Sequence, residues 1–160
     1  MNLSDILNET CVVPELKSKN KKDVIRELIE HLWRKNLIPD PMEAEKVVLE
    51  RERLGSTGIG DGVAIPHGKL KNLKQVICAL GVSREGVDFQ AVDGKPVNIV
   101  FLVFAPEQRV SLHLEVLSKI SRILRMGPLV KRILAAGDAR KICDLIMDEE
   151  FNLKNERERF

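Results

Sequence analysis

The chain has 160 residues, with 26 basic and 24 acidic side chains and a net charge of +2 when the histidines are neutral. This length is typical of one domain, and a hydrophobic share of 44% is enough to form a core, which excludes a largely disordered chain. The balanced charge argues against a nucleic-acid-binding protein. No apolar run reaches the roughly 18 residues of a membrane helix, and the acidic start is unlike a signal peptide.

The three cysteines, Cys11, Cys78 and Cys143, are odd in number and far apart. They form no C-x-x-C and no zinc-binding spacing with any histidine. We therefore expect buried, reduced thiols in a cytoplasmic protein that does not insert into a membrane.

The first predicted helix covers residues 20–36, and Asn20 can cap its start. Its apolar side chains recur at helical spacing and form one stripe, made of Val24, Ile25, Leu28, Ile29, Leu32 and Trp33. His31 falls at the edge of this stripe, so we expect a partly exposed histidine with a structural role.

The second predicted helix covers residues 41–54, with Asp40 as its N-cap, a proline in its first position and Gly55 at its end. Its apolar side is formed by Ala44, Val47, Val48 and Leu54. Arg51 lies in the middle of that side. An arginine aimed at the protein body either holds an anion or forms an internal salt bridge, and its spacing alone does not separate these two readings.

The rest of the chain alternates strands and helices. Strands are predicted at 63–65, 75–83, 87–89 and 97–104, and helices at 111–126, 128–136 and 138–147. This order predicts an α/β layered domain whose sheet is covered by helices on both faces. We expect residues 1–150 to form the domain and the charged residues 151–160 to form a frayed tail.

A glycine-rich segment, residues 55–68, contains five of the ten glycines. It is not a P-loop or a dinucleotide fingerprint, because Val63 stands where each pattern needs a glycine. The segment ends in Ile65, Pro66, His67 and Gly68. A neutral imidazole at the end of a strand is a candidate nucleophile, and we expect the following glycine to leave one side of the ring open. The alternative is a loop histidine that bonds to the backbone.

The third histidine, His113, falls in the first turn of the helix predicted to begin near Ser111. A helix N-terminus favours an anion and lowers the pKa of an imidazole, so His113 is a candidate hydrogen-bond donor to a phosphoryl group. The alternative is a capping or surface histidine. We expect no zinc site between His67 and His113, because a third ligand is missing from the nearby sequence and Arg51 would repel the cation.

The segment Arg51–Lys69 closely resembles the phosphohistidine motif of enzyme IIA domains of the fructose/mannitol type (type 2), from the bacterial phosphoenolpyruvate phosphotransferase system. The segment Phe89–Val97, and Pro106 followed by His113, are also similar to this family. The resemblance extends from about Leu3 to Met147.

This resemblance implies a mixed sheet flanked by helices and phosphorylation of His67, with no cofactor. The phosphoryl donor would be a phosphocarrier protein of the HPr type, which enzyme I charges in turn. Arg51 matches the arginine that faces the phosphate, and His113 matches the second active-site histidine. Thr57 falls where the family has a hydroxyl group near the site, and Ser56 is a further candidate.

Within the family, the Gly55–Gly60 segment most resembles the nitrogen-regulatory branch. That resemblance implies contacts with regulatory targets such as a sensor kinase or a potassium transporter. One alternative is a stand-alone IIA component of a sugar-transport system, which would pass the phosphoryl group to a IIB domain. Another is a non-catalytic binding module. A histidine phosphatase is disfavoured, because Pro66 stands where its usual arginine would precede His67.

Overall fold

A computed structural model of the chain describes residues 1–158. Two short 3-10 helices, Leu3–Asp5 and Glu9–Cys11, lead into a mixed sheet that lies between two layers of helices. The strands are β1 (Val12–Val13), β2 (Gly58–Gly60), β3 (Val63–Ala64), β4 (His67–Leu70), β5 (Ile77–Val87) and β6 (Val97–Pro106). The helices are α1 (Lys21–Arg34), α2 (Pro41–Leu54), α3 (Val110–Leu124), α4 (Leu129–Ala136) and α5 (Ala139–Glu158).

The first two helices begin where their capping residues predict. The Asn20 side chain accepts a hydrogen bond from the Asp23 amide, and the Asp40 carboxylate accepts two from the first turn of α2. Two apolar assignments were wrong. Trp33 is 49% exposed and Leu54 is 84% exposed, because each lies in the last turn of its helix, where no neighbouring element covers it.

The sheet confirms the predicted fold class. Its strands run in the order β1-β5-β6-β3-β2, and β6 is antiparallel to β5 and parallel to β3. Strand β4 also pairs with β6 in parallel, so β3 and β4 follow one another along β6. The strand predicted at 63–65 ends before Pro66, so sheet pairing was not expected beyond it. Instead it resumes at His67, because the Pro66 carbonyl accepts a hydrogen bond from the Val103 amide at 3.0 Å and keeps the chain beside β6.

Several strand bounds differ from the predictions. Strands β2 and β4 were missed because their glycines hide the apolar alternation that marks a strand. The strands predicted at 75–83 and 87–89 are one continuous strand, β5, whose pairing register shifts between Val82 and Val87. Residues 84–86, where the sequence predicted a break between two strands, therefore belong to the same strand.

The core has two parts, one on each face of the sheet. Along β6, Ile99, Phe101 and Val103 pack towards α3, α4 and α5, whereas Val100 and Leu102 pack towards α1 and α2. This alternation is the period-two pattern of a strand that is buried on both faces.

The last helix is longer than predicted. It was expected to end at Met147, but it continues to Glu158, because Leu153 is only 8% exposed and packs into the core under α3. The tail predicted for residues 151–160 is therefore helical as far as the structure describes it, and residues 159–160 lie outside the described part. Within the described residues, none of the helices combines the length and the apolar character needed to cross a membrane.

Candidate functional site

His67 is the first residue of β4 and is half-buried. Its Nδ1 lies 2.8 Å from the carbonyl oxygen of Ile65. A carbonyl oxygen can only accept, so Nδ1 carries the proton and donates it. The lone pair of the neutral ring is therefore on Nε2, which becomes the nucleophilic atom.

His113 lies against His67, with ring centroids 5.2 Å apart and ring planes at 77°. It sits in the first turn of α3 and is 5% exposed. Its Nε2 is buried and has no hydrogen-bond partner among the described residues. A buried polar atom without a partner is costly, which makes this nitrogen a candidate to bind a ligand atom.

Both imidazoles are shifted towards their neutral forms. Burial lowers the pKa of His67, and the nearby Arg51 guanidinium lowers it further, whereas the hydrogen bond to Ile65 opposes the shift. Burial lowers the pKa of His113 to about 4, with smaller contributions from the His67 and Lys69 charges. Near neutral pH the site therefore combines two neutral imidazoles.

Arg51 lies at the end of α2 and contributes positive charge at His67. Its Nη1 donates to the Gly55 carbonyl oxygen at 3.0 Å, which helps to close the helix. Among residues 1–158 its guanidinium forms no ion pair, so the structure gives no support to the salt-bridge alternative. The chain thus brings three predicted site residues together: His67, His113 and Arg51.

The two predicted hydroxyl groups have other partners. The Ser56 hydroxyl donates to the Phe89 carbonyl oxygen and accepts from the Gly58 amide at 3.0 Å. The Thr57 hydroxyl donates to the Glu52 carboxylate, and Thr57 is 5% exposed. Because each hydroxyl proton is donated to another protein group, the arrangement gives both residues a structural role, and their contact with a phosphoryl group stays a prediction.

Glu52 is the residue that the sequence analysis missed. Its side chain is 5% exposed, pairs with Lys21 at 2.9 Å and accepts the Thr57 amide at 3.3 Å. The available signal was its position inside the motif, one residue after Arg51 and five before Thr57. Its identity alone is that of an ordinary surface residue of a helix.

Gly68 contacts helix α2 and does not have the structural role that was expected of it. It was expected to leave one side of the His67 ring open, but it is buried against α2. A Cβ atom at this position would lie 2.5 Å from Cγ1 of Val47. The glycine therefore allows α2 to approach β4 closely, which places Arg51 near His67.

No metal cluster is evident in the part of the chain that the structure describes: no group of three or more histidine, cysteine or acidic side chains could hold a metal ion there. The three cysteines are buried thiols.

Comparison with known proteins matches residues 5–149 to the family model described as phosphoenolpyruvate-dependent sugar phosphotransferase system, EIIA 2. The chain belongs to this family. A nitrogen regulatory protein of Bradyrhizobium diazoefficiens is 36% identical over 149 residues, covering 91% of this chain and 95% of that protein. The fructose-specific EIIABC component of Bacillus subtilis is 34% identical over 146 residues, which are 91% of this chain and only 23% of the relative.

A solved structure agrees with this assignment. The nitrogen regulatory protein IIA-Ntr from Neisseria meningitidis superposes with a TM-score of 0.83 at 33% identity, covering 90% of this chain and 98% of that one. The family resemblance and the mixed α/β fold predicted above are thus confirmed. The family consists of phosphotransfer components, and the matched residues 5–149 contain His67, His113 and Arg51.

Proposed function

We propose that the chain accepts a phosphoryl group on Nε2 of His67 from a histidine-phosphorylated carrier of the HPr type and acts as a regulatory component of the phosphotransferase system. The observation that carries the proposal is the pair of imidazoles 5.2 Å apart, one with a free lone pair on Nε2 and the other with a buried nitrogen that has no described partner. A phosphoryl oxygen on His67 would supply that partner.

The transfer is an in-line displacement between two imidazoles. The Nε2 lone pair of His67 forms the new N–P bond, and the electron pair of the old N–P bond returns to the donor's histidine. The positive charge that develops on the His67 ring is held at Nδ1–H by the Ile65 carbonyl oxygen. No general base is required, because the attacking nitrogen carries no proton.

Two groups are placed to stabilise the negative charge on the transferred group. Arg51 supplies a guanidinium with five N–H donors, one of which is used on Gly55. His113 would donate from Nε2 in the tautomer that carries its proton there, and its ring stays neutral because its pKa is lowered to about 4. Donors that are already fixed in place cost little reorganisation when the charge develops.

The proposal is tested by incubation with phosphoenolpyruvate, enzyme I and an HPr-type carrier, followed by mass mapping of the phosphate. The wild type should gain one acid-labile phosphate on His67, and His67→Ala should gain none. His31→Ala is the matched control and should be labelled normally, because His31 lies on α1 with Nε2 2.6 Å from the Thr10 carbonyl oxygen. Labelling of His67→Ala, or an acid-stable label, would refute the proposal.

The regulatory role is supported by relatives named nitrogen regulatory protein, which the chain matches over nearly their whole length. Phosphorylation adds negative charge beside Arg51, so a target such as a sensor kinase or a potassium transporter that packs over this surface would bind the two forms differently. Pull-down of such a target should discriminate the phosphorylated protein from the unphosphorylated one.

A sugar-transport role is the second candidate, favoured by the 34% identity to the fructose-specific EIIABC component. In that case the phosphorylated protein would pass its phosphoryl group to a fructose-type IIB domain. Rapid loss of the label on mixing with such a domain would support this candidate. Retention of the label would favour the regulatory role, and failure of every donor to label the chain would favour a binding module.

A further inference from the structure

Glu52 is connected to the reactive histidine by a continuous series of hydrogen bonds. Both of its carboxylate oxygens lie 3.3 Å from the Thr57 amide nitrogen, and the Thr57 hydroxyl donates to Oε1. The Thr57 carbonyl oxygen accepts the Ile65 amide at 3.0 Å. The Ile65 carbonyl oxygen then accepts Nδ1–H of His67 at 2.8 Å. The placement of the Ile65 carbonyl therefore depends on where Glu52 holds Thr57.

The carboxylate itself is held firmly. Lys21, the first residue of α1, pairs with it at 2.9 Å, and the two side chains are 17% and 5% exposed. The Lys21 ammonium also donates to Gln90 Oε1 at 3.0 Å and lies 5.1 Å from the centre of the Phe89 ring. Since apolar residues of similar size often replace a buried ion pair without loss of stability, stability alone does not account for a charge at this position.

We propose that Glu52 is a positioning residue for phosphoryl acceptance: by holding Thr57 it fixes the Ile65 carbonyl, which in turn fixes the Nδ1–H tautomer of His67 and leaves Nε2 as the attacking atom. This inference deepens the proposed function and rests on it for its kinetic consequence. The tautomer itself is a property of the unphosphorylated protein and is measured without any donor.

The variant Glu52→Gln separates the effect of the negative charge of Glu52 from the effect of its hydrogen bonds. Its negative charge raises the pKa of His67, opposing the effects of burial and of Arg51. Glu52→Gln removes this charge but retains an oxygen that can accept from Thr57. Glu52→Ala removes both. If the hydrogen bonds do the positioning, Glu52→Gln should behave much more like the wild type than Glu52→Ala does.

The first experiment measures the His67 tautomer by ¹⁵N NMR of the ring nitrogens near pH 8, where the lowered pKa leaves the ring neutral. The wild type should carry its proton on Nδ1. Glu52→Ala should show a mixture of the two tautomers, and Thr57→Val, which removes only the hydroxyl, should show a smaller shift in the same direction. Glu52→Gln should keep most of the Nδ1–H form.

The matched control is Glu150→Gln. Glu150 has almost the same environment as Glu52, with a side chain 6% exposed, a Lys119 partner at 2.9 Å and a bond from the Leu3 amide. It differs in having no connection to His67 among these hydrogen bonds. Glu150→Gln should leave the His67 signals unchanged even where it lowers stability, so a general loss of stability cannot mimic the expected result.

The second experiment measures the rate of phosphoryl uptake from the carrier. Glu52→Ala should be slower by about tenfold or more, because a small displacement of the nucleophile has a large effect on transfer. Glu52→Gln should recover most of the rate, and Glu150→Gln should match the wild type.

An unchanged tautomer in both Glu52→Ala and Thr57→Val would overturn the proposal, as would an equal shift in Glu150→Gln. If Glu52→Ala does not fold, Thr57→Val still decides the question, because its tautomer shift is expected only if the bonds between Glu52 and Thr57 position the Ile65 carbonyl. The variants could show the predicted tautomer shifts while the wild type accepts no phosphoryl group. That result would refute the proposed function but support the positioning role of Glu52.

Discussion

Glu52 and Glu150 occupy two regions of the molecule with nearly the same physical surroundings. Each carboxylate is almost fully buried, pairs with a lysine at 2.9 Å and accepts a backbone amide with both oxygens. Their lysine partners are also exposed to similar extents, 17% for Lys21 and 19% for Lys119.

The difference lies in what each carboxylate holds. Glu150 on α5 binds the amide of Leu3, and so fastens the start of the chain to α3 and α5. Glu52 binds Thr57, whose carbonyl oxygen accepts the amide of Ile65, two residues before His67. These two buried ion pairs therefore differ in role because their hydrogen bonds are attached to different segments of the chain.

A large loss of stability is expected for Glu150→Ala. The change leaves the Lys119 ammonium and the Leu3 amide without their shared acceptor, which should lower the free energy of unfolding by about 2–4 kcal/mol. Urea denaturation measures this loss. The His67 tautomer should be unchanged in the same sample, because no hydrogen bond described above connects Glu150 to His67.

A paired apolar replacement serves as its control. Lys119→Met combined with Glu150→Leu removes both charges together and should recover most of the lost stability, because neither charge is then left buried alone. If Glu150→Ala instead shifts the His67 nitrogen signals as much as Glu52→Ala does, the two regions are not independent and the comparison fails.

A smaller effect, confined to the site region, is expected from acid. The pKa of His113 is lowered from 6.5 to about 4 in the folded protein. As the pH falls through this interval the unfolded chain binds a proton that the folded protein does not, so His113 makes the folded state less stable at pH 5 than at pH 7. His113→Gln should therefore lose less stability than the wild type between these two pH values.

The urea midpoints of the wild type and of His113→Gln, each measured at pH 5 and at pH 7, give this difference. Groups distant from the site titrate equally in wild type and variant, so the difference between the two losses reports on His113 and on the His67 ring that it contacts. Equal losses would mean that the ring is not held in its neutral form.

The smallest effect is expected for Glu85→Gln. Glu85 pairs with Lys19 at 2.7 Å, closer than either buried pair, but the two side chains are 72% and 64% exposed. Water and salt screen such a pair, so its loss should leave the urea midpoint and the His67 tautomer within error of the wild type. A clear loss of stability would show that distance, not burial, decides how much these ion pairs contribute.

Local sequence signals predicted much of the fold. The capping residues Asn20 and Asp40 mark the starts of α1 and α2, because a side-chain acceptor at that position binds an amide of the next turn whatever surrounds it. Gly137, which adopts a left-handed conformation, marks the end of α4 for a similarly local reason. The short strands β2 and β4 were missed, since only their pairing with β3 and β6 makes them strands.

The candidate site shows the same division. The motif around His67 and the helix start at His113 were recognised separately, each from its own neighbours in the chain. Ser56 and Thr57 were predicted to face the phosphoryl group, but their hydroxyl groups bond to Phe89 and Glu52. Phe89 comes from a distant segment, and Glu52 is near in the chain, but only the fold turns its carboxylate towards Thr57.

The family, the layered α/β fold and the candidate nucleophile could thus be predicted from residue types at fixed spacings. The contact between the two imidazoles, the proton on His67 Nδ1 and the bonding of Glu52 to Thr57 could not, because they depend on how the folded chain packs. The two imidazoles come from segments far apart in the chain. The bonds of His67 Nδ1 and of Glu52 join near neighbours, but the burial that fixes those neighbours arises only when the sheet and its helices pack together.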